Sequence, residues 1–412
     1  MTSSKLTVHE LIELENSYGA HTYHPLPVVL DRGEGVFVWD VDGKKYFDFL
    51  SSYSAVNQGH CHPKIIDALV KQAQKLTLTS RAFYNSQLGR YEEFVTRYFG
   101  YDKVLPMNTG AEAVETAIKL CRKWAYEKKG LPENSAQIVV CENNFHGRTT
   151  TIISFSVDQD AYNHYGPYTP GFIVIPYNDV DALEKVLKQN SNIAGFLVEP
   201  IQGEAGANVP DNGYLKRCFN LCQQYNVLFI ADEVQTGIGR TGKLLACDYE
   251  DVHPDILILG KALSGGVYPV SAVLASDEIM DVIMPGQHGS TFGGNPLAAA
   301  VAISALEVIR DEKLAENAFN LGKIFRNEME NICKKSTIAS FVRGKGLLNA
   351  LVVNNEGHKN LAWDICLRLL ENGLLAKPTH ANIIRFAPPL VITEKQLLEC
   401  VEIIKNTIKE FE

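Results

Sequence analysis

Two apolar runs of the chain end in side chains that can do chemistry. The run 227–231 leads directly into Asp232 and Glu233, and the run 257–259 leads through Gly260 into Lys261. A lysine at the end of a buried strand needs an ionic partner or a covalent use, and Schiff-base formation with a carbonyl group is one such use. Carboxylates at the end of a strand stand where open α/β sheets bind ligands. A solvated strand end is the simpler alternative for Asp232 taken alone.

Two glycine-containing turns offer backbone N–H groups at the start of helices. Gly110 and Ala111 follow the strand-like run 104–107 and open a helical stretch. Free N–H groups and the positive end of a helix suit a phosphate, although one Thr-Gly-Ala turn is a weak signal. The second turn, 288–296, adds the hydroxyls of Ser290 and Thr291. These hydroxyls either cap the helix that follows or bind phosphate oxygens.

Together these pieces are typical of a pyridoxal-phosphate site. Lys261 is placed to form an imine with the cofactor aldehyde, and Asp232 is placed to keep the pyridine nitrogen protonated, which makes the ring an electron sink. An aromatic side chain is then expected on the face of the ring, and Phe145 in the run Asn-Asn-Phe-His-Gly-Arg is the candidate.

The elements that must position these residues alternate along the middle of the chain. Short β-branched runs predict strands, and 3.6-residue spacing predicts helices between them. The predicted strands are 138–141, 193–198, 227–231, 256–259 and 270–275, and the predicted helices are 111–128 and 214–225. Nearly continuous apolar runs are typical of strands covered on both faces of a mainly parallel sheet.

Both ends of the chain have a different pattern. Residues 35–46 predict a hairpin that turns at Asp42–Gly43, and the chain after residue 296 alternates helices with mixed strands. We therefore predict an α/β fold in which a large domain with a mainly parallel sheet, residues 51–295, binds the cofactor. A smaller α+β domain combines residues 1–50 with residues 296–412.

The composition excludes several classes of protein. Hydrophobic residues make up 46% and charged residues 21% of the 412 residues, which is typical of a globular protein and not of a disordered chain. With 39 basic and 48 acidic residues the net charge is −9. Because no basic block occurs, neither nucleic acid nor an anionic membrane is expected as the main partner. The longest uncharged stretch, 282–306, contains prolines and glycines that argue against a membrane span.

The cysteines and the N-terminus bear on the compartment. Nine scattered cysteines without a second cluster at zinc-site spacing predict reduced, mostly buried thiols and no metal site. Residues 1–15 lack the apolar core of a signal peptide and reach acidic residues early. We expect a cytoplasmic location, and a mitochondrial leader removed from the natural protein stays open as the alternative.

Longer motifs resemble those of the class III aminotransferases of fold type I and, within that class, the ornithine aminotransferase family. The resemblance covers essentially the whole chain. The matching motifs lie at residues 18–21, 51–60 (SSYSAVNQGH), 76–84, 198–206 (VEPIQGEAG) and 384–389.

The resemblance implies a role for each matching residue. Around pyridoxal 5'-phosphate it implies Lys261, Asp232, Gln235 near the ring hydroxyl, Phe145 on the ring, Gly110 and Ala111 at the phosphate, and Ser290 with Thr291 reaching the phosphate across the interface of a homodimer or a higher oligomer. Around the substrate it implies Tyr23, Tyr53, Arg148, Glu204 and Arg385. Two residues depart from the expected pattern: Ala111, where a slightly larger residue is common, and His146, where an aromatic residue is expected.

The activity that the resemblance implies is transfer of the δ-amino group of L-ornithine to 2-oxoglutarate. Acetylornithine or 4-aminobutyrate aminotransferase activity is the alternative within the class, although Tyr23 and Tyr53 match those enzymes less well. An aminomutase on the same fold, which needs no 2-oxoglutarate, and a binding protein without catalysis are more distant alternatives.

Overall fold

The structure, a computed structural model, describes residues 6–412. Its strands are β1 (Leu30–Glu34), β2 (Phe37–Asp40), β3 (Lys45–Asp48), β4 (Lys103–Met107), β5 (Gln137–Cys141), β6 (Phe172–Ile175), β7 (Ile193–Val198), β8 (Leu228–Asp232), β9 (Ile256–Leu259), β10 (Ser271–Ala275), β11 (Ala339–Lys345), β12 (Leu348–Val353), β13 (Leu374–Leu375), β14 (Lys377–Thr379) and β15 (Ile383–Phe386).

The helices lie between and after these strands. They are α1 (Val8–Tyr18), α2 (Ser51–Ser54), α3 (Pro63–Ala73), α4 (Leu88–Phe99), α5 (Gly110–Glu127), α6 (Thr150–Ile153), α7 (Gln159–Tyr162), α8 (Val180–Gln189), α9 (Tyr214–Gln224), α10 (Asp277–Met280), α11 (Pro296–Asp311), α12 (Leu314–Cys333), α13 (Leu361–Glu371) and α14 (Glu394–Lys409), with 3-10 helices at Ala246–Glu250 and Lys261–Ser264. Over residues 6–412, none of them is long and apolar enough to cross a membrane.

The central sheet has seven strands in the order β4-β10-β9-β8-β7-β5-β6. Neighbouring strands from β9 to β6 are parallel, and β10 runs antiparallel to both of its neighbours. Every residue of β7, β8, β9 and β10 is buried because helices cover both faces. The predicted α/β fold with a mainly parallel sheet is therefore confirmed, and the five predicted strands agree with the structure within one or two residues.

Alternate side chains of the central strands enter two different cores. Ile138 and Val140 pack with α5 on one face, whereas Val139 packs with α8 and α9 on the other. This alternation follows from the two-residue period of a strand. Because both layers are apolar, the polar side chains Glu199, Asp232 and Lys261 lie at or just beyond the C-terminal ends of β7, β8 and β9. These ends lie at the same edge of the sheet.

The two ends of the chain meet in the smaller sheets. The hairpin β2–β3 forms around the predicted turn, and β3 then pairs in parallel with β13 from the C-terminal part. A second, antiparallel sheet has the order β11-β12-β15-β14. Phe49, Phe325 and Phe386, from three distant parts of the sequence, pack with ring centroids 5.8–6.2 Å apart. The domain limits at residues 50 and 295 stay a prediction.

Candidate active site

A cavity of about 190 Å³ opens at the C-terminal ends of β7, β8 and β9. Its position follows from the topology, because parallel strands bring their carboxyl ends to the same edge of a sheet. It is lined by Gly110, Ala111, Phe145, His146, Gly147, Glu199, Asp232, Val234, Gln235 and Lys261. Residues from widely separated parts of the sequence therefore meet in one small space.

Lys261 enters this cavity directly after β9. Gly260 separates it from the strand, and Lys261 itself has a φ of 45°, in the left-handed region that non-glycine residues rarely occupy. Such backbone conformations cluster at functional sites. Burial lowers the pKa of the Lys261 amine below 10.5, and the negative charges of Glu204 and Asp232 offset only part of that effect. The amine is thus easier to deprotonate than an exposed lysine.

Asp232 ends β8 and is held by two hydrogen bonds. Its Oδ1 accepts the backbone N–H of Val234 at 3.0 Å, and its Oδ2 lies 2.6 Å from Nδ1 of His146. Burial alone would lower the pKa of His146, but the hydrogen bond and charge of Asp232 outweigh it, so the pKa is raised. Nε2 of His146 is buried without a partner among residues 6–412.

Sequence reasoning did not foresee this role for His146. By sequence it is only a departure from the expected pattern beside Phe145, whereas the structure places it on Asp232, 86 residues further along the chain. The contact depends on the strand order, because the loop after β5 reaches across β7 to the end of β8. The signal in the sequence is a histidine in the loop that follows a predicted strand, five residues after Cys141.

Glu199 is a second residue of the site without a predicted role. It follows β7, is buried, and joins two loops: Oε1 accepts the N–H of Phe145 at 2.8 Å and Oε2 accepts the N–H of Gly203 at 3.2 Å. Burial raises the pKa of Glu199 to about 7. The carboxylate therefore ties the loop that bears Phe145 to the loop that bears Glu204.

The start of α5 forms one wall of the cavity. Thr109 and Glu112 make a reciprocal capping box, which fixes the first turn of the helix. The first N–H groups of a helix have no partner within it, and those of Gly110 and Ala111 lie on the cavity wall. A Cβ at Gly110 would lie 3.0 Å from Val234 Cγ1. A buried amine, a strand-end carboxylate and a free helix N-terminus thus fit pyridoxal phosphate.

A buried ion pair lies beside the cavity. Nη1 of Arg385, on β15, lies 2.8 Å from Oε1 of Glu204, and the Arg385 side chain is only 4% exposed. Gln235 donates to Glu204 at 3.2 Å and accepts from Arg385 at 3.3 Å. The Tyr53 ring covers the guanidinium, with its centroid 4.7 Å from Cζ. Burial alone would raise the pKa of Glu204, but the charge and hydrogen bond of Arg385, together with Lys261 and Gln235, outweigh it, so the pKa is lowered.

The remaining predicted residues lie further out. Arg148 lies 5.7 Å from the Phe145 ring centroid and 3.8 Å from Asp158, and Tyr23 is 76% exposed. Ser290 is half-buried and accepts a hydrogen bond from Asn108 at 2.9 Å, and neither it nor Thr291 lines this chain's own cavity. The structure thus brings the lysine, aspartate, glutamine and phenylalanine together, and leaves the hydroxyl pair outside.

The fold is that of the pyridoxal-phosphate-dependent transaminases, and comparison with known families agrees. The family model of the class III aminotransferases matches residues 18–408. The chain belongs to this family.

Three similar proteins show which members of the class III aminotransferases this chain resembles. Ornithine aminotransferase, mitochondrial, of Drosophila melanogaster is 64% identical over 96% of this chain and 90% of its own length. The crystallised ornithine aminotransferase of Toxoplasma gondii, described with partial occupancy of pyridoxal phosphate, is 51% identical, with a TM-score of 0.96 over 98% of this chain and 94% of its own. A structure named acetylornithine aminotransferase, from Elizabethkingia anophelis, is 65% identical, with a TM-score of 0.91 over 99% and 100% of the two chains.

Proposed function

We propose that this protein transfers the δ-amino group of L-ornithine to 2-oxoglutarate. The products are L-glutamate and L-glutamate 5-semialdehyde, which cyclises to pyrroline-5-carboxylate. The observation that carries the proposal is the buried Glu204–Arg385 pair beside Lys261. A free arginine at this position would bind α-carboxylates. When Glu204 masks it, the α-carboxylate of ornithine cannot bind there in the first half-reaction, and when Glu204 moves away, the α-carboxylate of 2-oxoglutarate can bind in the second.

The residues around the cofactor have separate tasks. When bound, pyridoxal phosphate supplies an aldehyde that takes up the amino group and a ring that absorbs negative charge. Lys261 would act as the general base and acid that takes up and returns the proton of the substrate carbon, and its lowered pKa makes the neutral amine easier to form. Asp232 would hold the proton on the ring nitrogen, and His146 fixes the orientation of the Asp232 carboxylate through their 2.6 Å contact. Gly110 and Ala111 would bind the phosphate through their N–H groups.

Selection between the two amino groups of ornithine depends on Arg385. While Glu204 occupies the guanidinium, no α-carboxylate can bind there, and ornithine enters with its δ-end toward Lys261. When Glu204 moves away, the guanidinium binds the α-carboxylate of 2-oxoglutarate as a charge-assisted bidentate pair. Gln235 contacts both partners and can hold either one during the exchange.

The outer residues bind the other end of the substrate. Arg148 binds the α-carboxylate of ornithine and the distal carboxylate of 2-oxoglutarate, while Tyr23 contacts the α-end of ornithine and Tyr53 lines the pocket. Arg148 is 58% exposed, so it can reorient when a carboxylate arrives. Its guanidinium lies 5.7 Å from the ring centroid of Phe145, which lines the cavity together with Lys261.

Acetylornithine is the competing amino donor, since one highly similar structure carries that name. Its α-nitrogen is an uncharged amide, whereas that of ornithine is an ammonium group that needs hydrogen-bond acceptors. The hydroxyls of Tyr23 and Tyr53 are such acceptors. This difference supports ornithine as the donor, together with the name of the Drosophila relative.

Isotope transfer tests the proposal directly. Ornithine labelled with ¹⁵N at the δ-position is incubated with the holoenzyme and 2-oxoglutarate, and the glutamate formed is analysed by mass spectrometry. We expect labelled glutamate from δ-labelled ornithine and unlabelled glutamate from α-labelled ornithine. Acetylornithine and 4-aminobutyrate at equal concentration should react more slowly. A faster reaction with acetylornithine would reassign the substrate, and absence of transfer from all three would refute the function.

We also propose that the active unit is a homodimer. The loop with Ser290 and Thr291 lies on the surface next to the 81–88 segment, because a Cβ at Gly294 would meet Leu88 and Arg81. Large aromatic side chains are exposed in both segments, namely Phe83 and Tyr84 in the 81–88 segment and Phe292 in the loop. Exposed apolar surface of this kind favours a protein interface, and a second copy would bring Thr291 to the partner's phosphate site. Sedimentation of the purified protein as a monomer would contradict this.

The compartment belongs to the same proposal. All nine cysteines are free, which supports a reducing compartment, and we propose the cytoplasm. The Drosophila relative is named mitochondrial, and the mitochondrial matrix is the alternative. Imaging of the tagged full-length protein in its own cell distinguishes the two.

A further inference from the structure

A short segment next to the site has an unusual backbone. The four residues of α2, Ser51–Ser54, have φ values of 49°, 46°, 59° and 75° in chain order. They therefore form a left-handed helical turn without a glycine or an asparagine. Left-handed residues normally occur singly, because Cβ then crowds the following carbonyl oxygen. Surrounding contacts must hold this turn in place.

Asp48 supplies two of those contacts. Its Oδ1 accepts the backbone N–H groups of Leu50 at 2.8 Å and of Ser51 at 2.9 Å, so it caps the start of the turn. The hydroxyls of Ser51 and Ser54 are buried and have no partner among residues 6–412. The serine hydroxyls of the turn therefore add little, and the Asp48 carboxylate supplies side-chain hydrogen bonds to its backbone in addition to the backbone bond from Ala55 N–H to the carbonyl of Ser51 at 2.9 Å.

His60 fixes Asp48 in turn. Its Nε2 lies 2.7 Å from the second carboxylate oxygen of Asp48, and its backbone exchanges hydrogen bonds of 2.8 and 3.0 Å with Gly35. The imidazole also packs against Gly33, where a Cβ would come within 2.9 Å of the ring. The carboxylate thus has one oxygen on the turn and one on a rigid imidazole.

The turn presents Tyr53 to the ion pair. The Tyr53 ring lies 4.7 Å from Cζ of Arg385 and covers one face of the guanidinium, while Glu204 binds its edge. Five residues after Tyr53, Gln58 donates to the carbonyl of Ala262 at 2.9 Å, next to Lys261. A change in the turn would therefore move the ring on Arg385 while the segment stays attached beside Lys261.

We propose that Asp48 and His60 are positioning residues for amino-donor selection: they hold the left-handed turn, and the turn keeps Tyr53 on the face of Arg385. The inference rests on the proposed function, because it concerns the choice between ornithine and glutamate as amino donors. With the ring displaced, the guanidinium is open to the α-carboxylate of glutamate before Glu204 has moved.

The test compares half-reaction rates for glutamate and ornithine in the holoenzyme. Asp48→Ala should raise the glutamate-to-ornithine ratio about threefold to thirtyfold, the change that loss of a cation–π contact produces. Ser52→Gly in the same chain should restore much of the normal ratio, because glycine adopts positive φ without strain and the exposed Ser52 packs against little. Asp48→Asn keeps a carbonyl oxygen at the cap, so its glutamate-to-ornithine ratio should lie between those of wild type and Asp48→Ala.

Matched controls separate positioning from general damage. Asp42→Ala, at the exposed tip of the β2–β3 hairpin, should leave the ratio unchanged. Ser52→Gly alone should raise the denaturant midpoint of unfolding, a readout independent of activity. If Asp48→Ala does not fold, His60→Asn removes one bond of the carboxylate and should raise the ratio in the same direction.

The outcomes also separate this inference from the proposed function. Three results would each overturn the inference. The first is an equal loss of the glutamate and ornithine half-reaction rates in Asp48→Ala, and the second is a glutamate-to-ornithine ratio that Ser52→Gly does not restore. The third is a lower denaturant midpoint of unfolding in Ser52→Gly alone. Failure of wild type to transfer ¹⁵N from δ-labelled ornithine would overturn the function itself. Normal transfer in wild type with a flat ratio in the Asp48 and His60 variants would overturn only the inference.

Discussion

Replacing Glu204 by glutamine tests the masking of Arg385 most directly. The substitution keeps the shape of the side chain and removes its charge, so the guanidinium keeps Tyr53 and Gln235 as neighbours but loses its ionic partner. Arg385 then binds α-carboxylates in both half-reactions. Glutamate should become a better amino donor relative to ornithine, and some ornithine should enter with its α-end toward Lys261.

The structure sets the size of this effect. The 2.8 Å bond joins a guanidinium that is only 4% exposed to a carboxylate that is 27% exposed, so water screens the pair weakly. A hydrogen bond to a charged group contributes about 1.5–3 kcal/mol. Gln235 accepts from Arg385 at 3.3 Å and compensates in part, which favours the lower end of that range. At about 1.4 kcal/mol per factor of ten, the glutamate-to-ornithine ratio should rise about tenfold.

The assay is a single-turnover measurement with each amino donor, followed by the absorbance of the bound cofactor. Glu34→Gln is the matched control, because Glu34 forms an ion pair with Arg32 that is largely exposed and contributes little. Its ratio should equal that of wild type. The lowered pKa of Glu204 keeps the carboxylate charged at neutral pH, so the wild-type ratio should also stay constant from about pH 6 to 8. A flat or smaller ratio in Glu204→Gln would show that Arg385 is not masked by Glu204.

Four further predictions follow from the same geometry. Lys261→Ala should abolish turnover while the protein still folds and holds cofactor noncovalently, and multiple turnovers with ornithine would remove Lys261 from the mechanism. His146→Gln should slow both half-reactions about tenfold without changing their ratio, since it weakens one charge-assisted bond to Asp232; an unchanged rate would reduce His146 to a packing residue. Mixing inactive Lys261→Ala protein with an inactive Thr291→Ala protein should restore activity after subunit exchange, and no recovery despite proven exchange would place each site within one chain. Burial raises the pKa of Glu233 to about 7 against 4.5 in the unfolded chain, so the folded state binds more protons between these values and the free energy of unfolding falls as pH rises through that window; Glu233→Gln should flatten this dependence in denaturant unfolding, and an equal slope in variant and wild type would contradict it.

The sequence predicted the residues whose position depends on strand ends. Asp232 and Lys261 each come at the end of an apolar run. Because β8 and β9 are parallel neighbours, their carboxyl ends lie side by side at the same edge of the sheet. The start of α5 was predictable for a similar reason, since the capping pair Thr109–Glu112 is local in sequence. Arg385 and Glu204 are paired through the resemblance to known aminotransferases, because the residues alone contain no signal that joins a loop to a strand 181 residues away.

The residues that escaped prediction are those whose position depends on tertiary contacts against local preference. His146 reaches Asp232 only because β5 and β8 lie on either side of β7, an order that periodicity does not contain. The run Ser51–Ser54 lacks the glycine or asparagine that would announce positive φ, so propensity predicts an ordinary turn there. Asp48 and His60 impose the left-handed form from outside the segment. Local sequence therefore specifies which groups can react. Strained backbone and long-range contacts determine how those groups are oriented, and the selectivity of this site depends on that orientation.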